Sequence, residues 1–96
     1  MNQITLQDII NKKLNMCTPS PDELLGNAYL EIATANLLDK ESCVKAYIAA
    51  QVAIQASKAC GITAPSVEVN AEKLKVEANL GDDQNIADFY MKHLDV

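Results

Sequence analysis

The sequence predicts an all-α fold, a small bundle of four to five helices built around an antiparallel central hairpin. Three observations carry this expectation. Pro19, Pro21, Pro65, Gly61 and Gly81 fall between periodically apolar segments, and only Gly26 sits inside one. Within those segments apolar residues recur every three to four positions, the spacing of a helix face. Tyr29, Tyr47, Tyr90 and Phe89 are the only aromatic residues. A core built from Leu, Ile, Val and Ala favours closely packed helices over a sandwich.

The elements follow in order. A first helix over about 5–15 places Leu6, Ile9, Ile10 and Leu14 on one stripe, and "CTPSP" ends it. Ser20 is the expected cap of a second helix, with Pro21 at its first position and Glu23 completing a Ser-x-x-Glu box. That helix is expected to reach about Leu38. Leu24, Ala28, Ile32 and Ala35 form one of its faces, and Leu30 and Leu37 a second, nearly opposite. Asp39 caps a third helix that runs to Cys60 and stops at Gly61.

After the linker "ITAPS", Ser66 is the expected cap of a fourth helix ending at Gly81. The stretch "VEVNAEKLKVEA" also alternates apolar and polar residues, so a hairpin over 66–80 is the alternative. Its Ala, Glu, Lys and Leu content favours helix. Asp82 or Asp83 caps a last helix carrying Ile86, Phe89, Tyr90 and Leu94.

The third helix is the unusual one, since no charge occurs between Lys45 and Lys58. Ala46, Ala49, Ala53, Ala56, Ser57 and Cys60 cluster on one side, where small side chains let a neighbouring backbone come close. Cys43, Tyr47, Ala50 and Ile54 make a bulkier strip beside it, and Val44, Ile48 and Val52 point elsewhere again. A helix apolar around most of its girth is normally central. The second helix is two-sided as well. Two such helices are hard to surround with three shorter ones, so a homo-oligomer is expected. Leu30, Leu37, Ile48 and Val52 are the candidate contacts between chains. The competing expectation is that the other helices cover everything.

Ninety-six residues fit one helical domain over 1–96, and a chain of this size buries roughly 60–65% of its unfolded surface. The net charge is −5 and all eight basic residues are Lys. Without Arg there is no bidentate phosphate clamp or guanine reader, so direct nucleic-acid binding is not expected. No apolar run approaches the ~20 residues of a membrane span, and the N-terminus lacks a signal-peptide layout. Cys17, Cys43 and Cys60 fit neither a zinc site nor a disulfide framework, which points to a reducing, cytoplasmic setting.

Catalytic constellations are hard to find. "GDDQN" lacks the spaced ligands and terminal Glu of a calcium loop and reads as helix capping. His93 belongs in the last turn of the last helix, where an imidazolium favourably meets the dipole. Cys17 lies near the start of the second helix, which can lower a thiol pKa, yet it has no paired base. No GxSxG, HExxH, P-loop or GxGxxG occurs. The chain is therefore expected to be non-enzymatic, with no cofactor and no metal.

The hairpin "NAYLEIATANLLDKESCVKAYIAAQVAIQASKACGI" resembles the core of HEPN-type helical bundles. Tyr29, Leu30, Ala33 and Leu37 match the first helix of that pattern, and Ala46, Tyr47, Ala50, Ala53, Ala56 and Gly61 the second. The resemblance covers roughly forty residues and implies an antiparallel bundle, often dimeric. Nuclease members carry an Arg shortly before a His. This chain has no Arg, so the resemblance implies a non-catalytic member.

Three functional readings follow. The leading one is a small interaction or regulatory protein that binds itself or another protein. The second is a binder of a small anionic ligand such as a nucleotide. It would use Lys45 and Lys58, from a segment (40–60) where three lysines face only Glu41, with Tyr29 and Tyr47 stacking on a base. Such lysines are more often a solvated face. The third is an acidic inhibitor that occupies a partner's nucleic-acid-binding surface through Asp82, Asp83, Asp88, Glu68, Glu72 and Glu77.

Overall fold

The computed structural model describes residues 3–16 and 19–94. Within them the chain forms five helices and no strand: α1 (Leu6–Met16), α2 (Pro21–Thr34), α3 (Lys40–Ala59), α4 (Pro65–Glu77) and α5 (Asp83–His93). The all-α expectation holds, and the stretch that could have been a hairpin is helix through Glu77 and then a turn.

Each helix start has a local cause. Thr5 and Asp8 cap α1 reciprocally: the Asp8 amide donates to Thr5 Oγ1 at 3.1 Å and the Thr5 amide to Asp8 Oδ2 at 2.9 Å. Ser20 Oγ accepts the Glu23 amide at 3.3 Å, with Pro21 opening α2. Asp39 Oδ1 accepts the Glu41 amide at the start of α3, and Asp82, not Asp83, caps α5 through the Asn85 amide at 2.8 Å. The expected cap Ser66 is displaced. Pro65 takes the first helical position, which puts the cap at Ala64 with no side-chain bond.

Two helix ends also differ from expectation. α2 stops at Thr34 rather than Leu38, because Asn36 builds a competing turn. Its Oδ1 accepts the Leu38 amide at 3.0 Å and its carbonyl accepts the Asp39 amide at 2.8 Å. α4 ends at Glu77, ahead of Gly81, because Asn79 itself takes the left-handed conformation (φ 53°). The Asn79 amide then bonds Val76 O and the Leu80 amide Lys75 O, which ends the helix and buries Leu80. α3 closes the same way through Gly61 (φ 75°), with the Ile62 amide on Ser57 O at 2.8 Å.

α2 and α3 form a helical hairpin, and α3 is the axis of the fold, touching all four other helices. Val44, Ala46, Tyr47, Ala50, Ala53 and Ile54 are all buried along it. Ala28 of α2 is fully buried, consistent with the close approach that small residues allow. Leu6, Ile9 and Ile10 of α1, Val67, Ala71 and Leu74 of α4, and Ile86 and Ala87 of α5 complete one continuous core. The apolar faces of α3 are therefore largely covered by its own chain, while Lys40, Glu41, Lys45 and Lys58 stay exposed. α2 is not covered in the same way: Leu24 and Ile32 pack against the core, while Leu30 stays 61% exposed.

Candidate functional site

The residues expected to bind a small anion do not converge. Tyr47 is buried, 3% exposed, and cannot stack on a base. The Lys75 ammonium lies 5.7 Å from its ring centroid and 3.4 Å from Asp83 Oδ1, so a cation roofs the ring. Burial pushes the Tyr47 phenol above its ordinary value. Desolvation pulls the Lys75 ammonium down, but Tyr47, Asp83 and Glu72 outweigh it and leave it raised. Lys58 forms an ion pair with Glu68 at 3.2 Å, tying the end of α3 to α4. Tyr29 stands exposed on the outward side of α2. Lys45 is exposed too, at the rim of a hollow between α2 and α3.

The expected interface residues divide into two pairs. Ile48 and Val52 are 1% and 4% exposed and belong to the core, so they are not contacts between chains. The reason is that the four other helices pack against the apolar faces of α3 and leave mainly its lysines and its ends exposed. Leu30 and Leu37, by contrast, are 61% and 48% exposed. Tyr29, Ala33 and Gly26 share the outward side of α2 with Leu30, and Leu37 and Leu38 continue it into the loop.

α4 packs directly against α2, and a shallow groove of about 260 Å³ runs between them. Ala33 and Leu37 line it from one side, Asn70, Lys73 and Glu77 from the other. On the outer side of α4, Val69 and Val76 are also exposed. Nothing in the sequence reading singled out these two valines. The signal was present in "VEVNAEKLKVEA", whose apolar residues are too many for one helix stripe.

A second concavity, of about 400 Å³, lies where α1, α2 and α3 meet. Leu24, Ala28, Ile48, Ala49 and Val52 form its floor. Its rim carries Lys13 from α1, Glu31 from α2, Lys45 from α3 and Tyr90 from α5. The Lys13 ammonium lies 5.3 Å from the Tyr90 ring centroid. Sequence reasoning found Lys45 but not Lys13 or Tyr90, whose meeting depends on how the first and last helices pack.

Two further candidates have local packing partners. Cys43 is buried, its thiol donates to Asn36 O at 3.2 Å, and burial with the nearby Asp39 raises its pKa. The His93 ring packs on Phe89 with centroids 4.4 Å apart. Cys17 lies outside the described residues. Among the described residues no group of His, Cys, Asp and Glu side chains is placed to hold a metal ion, and no helix is long and apolar enough to cross a membrane. No family model, curated protein or solved structure matches the chain, so its function is read from its own surfaces.

Proposed function

We propose that this chain is a non-enzymatic interaction module that associates with a second copy of itself through the outward side of α2 and the adjoining face of α4. The observation that carries the reading is the run of exposed Tyr29, Leu30, Leu37 and Leu38 along the hairpin, with Val69 and Val76 also exposed on α4, which packs against α2. Scattered apolar residues on a surface need no explanation, but a contiguous patch marks an interaction site. A standard interface takes roughly 800 Å² from each partner, which two adjoining helix faces can supply.

Lys73 and Glu77 favour a like partner. They lie in one groove with opposite charges, and a twofold contact would set each against its opposite on the other copy. A regulatory role in a reducing, cytoplasmic setting belongs to the same reading, as does a non-catalytic HEPN-type relationship carried by the α2–α3 hairpin. Sedimentation velocity on the wild type and on Leu30→Lys tests it. The reading expects a dimer that the substitution converts to monomer while the helical circular dichroism is kept. A wild type that stays monomeric at high micromolar concentration defeats it.

A further inference from the structure

The hollow between α1, α2 and α3 plays no part in the association just described. We propose that it is a binding site for a single-chain aliphatic carboxylate, with the tail on the apolar floor and the carboxylate held by Lys13 and Lys45. The lining is mostly apolar, from Met16, Leu24, Ala49 and the buried Ala28, Ile48 and Val52 beneath them, with Asn27 the one amide side chain along it. Such a surface selects chiefly by shape and apolarity.

The rim sets the charge of the ligand. Lys13 and Lys45 face the single carboxylate Glu31, which leaves one positive charge. Among the described residues neither lysine forms an ion pair. One net charge suits a monoanion better than a phosphate dianion, whose second charge would meet Glu31 uncompensated. A nucleotide base would also have to compete for the Tyr90 ring, which the Lys13 ammonium already engages. The volume sets the length. A hollow of about 400 Å³ holds on the order of a dozen groups the size of a water molecule or methylene, at about 30 Å³ each. That corresponds to a medium-length chain.

Calorimetric titration of the full chain with decanoate tests the site, with decyltrimethylammonium as the same tail carrying the opposite charge. The proposal expects saturable binding of one decanoate per chain, at least about tenfold tighter than the cation and weakened by added salt. Lys13→Gln and Lys45→Gln should each weaken decanoate about fivefold or more, with unchanged thermal melts. Ala49→Phe, which fills the floor, should abolish binding. The two lysine variants keep the test decisive even if the phenylalanine variant does not fold. Absence of saturable decanoate binding up to about 1 mM overturns the proposal. So does equal affinity for the cation, or lysine variants that bind as the wild type does.

Discussion

Ile48 and Leu30 are both large aliphatic residues on the central hairpin, and truncating each to alanine separates core from surface. Ile48 is 1% exposed, and Leu30 is 61% exposed. Ile48→Ala removes three carbons, worth about 0.8 kcal/mol each, or about 2.4 kcal/mol in lost burial. A void term adds to this, and buried Ile→Ala changes span roughly 2–5 kcal/mol. Ile48 borders the open hollow beneath α1, so the vacated space joins a volume that water can reach. The cost should therefore stay in the lower half of that range, at about 2.5–3.5 kcal/mol. For a domain of this size that lowers the melting temperature by about 10–28 °C. Leu30→Ala should change monomer stability by less than about 0.5 kcal/mol. Urea melts followed by far-ultraviolet circular dichroism, at protein concentrations low enough to suppress association, measure both. A small loss for Ile48→Ala beside a loss above about 2 kcal/mol for Leu30→Ala would falsify the assignment of α3 as core and α2 as open face.

Other perturbations follow from the caps and turns. Asp39→Ala removes the side-chain acceptor at the start of α3 and should cost about 0.5–2 kcal/mol in urea melts, with Asp39→Asn nearly neutral. Gly26 is helical, and a Cβ there meets nothing within 4 Å, so Gly26→Ala should stabilise by about 0.5–1 kcal/mol. Gly81→Ala should instead destabilise by roughly 1–2 kcal/mol, because φ is +81° and the left-handed region penalises a side chain. Hydrogen bonds from the Thr5 backbone and side chain lower the Asp8 pKa. The stabilisation this carries is present above the ordinary carboxyl range and is lost as pH falls through the lowered value. Thermal melts of wild type and Asp8→Asn should therefore converge in acid. A gap that stays constant down to strongly acidic pH contradicts the Thr5–Asp8 cap.

Much of the fold is legible because its signals are local. Asp39, Ser20 and Asp82 act on amides two or three residues away, and Pro and Gly punctuate wherever they fall. The end of α2 was less legible. The apolar pattern continues through Leu37 and Leu38, but Asn36 offers its own hydrogen bonds to the backbone and wins locally. α4 reads ambiguously for a different reason. Val67, Ala71 and Leu74 face the core while Val69 and Val76 face outward, and two apolar stripes on one helix imitate the alternation of a strand.

The surfaces were half legible. The helical wheel separates Leu30 from Ala28, and the structure keeps them apart. The wheel cannot say which of two apolar faces the rest of the chain will cover. For Ile48 and Val52 it is the packing of the remaining helices around α3 that decides, and for Leu30 nothing in the described chain intervenes. The pairing of Lys13 with Tyr90 across the fold has no local signature at all.

The most direct test is amide hydrogen exchange at two protein concentrations, low and high micromolar. If the chain encloses one rod and leaves the other partly bare, amides of residues 43–57 should be strongly protected at both concentrations. Those of residues 26–34 should gain protection only at the higher one. Equal and concentration-independent protection of the two helices, or rapid exchange along the third helix, would contradict it.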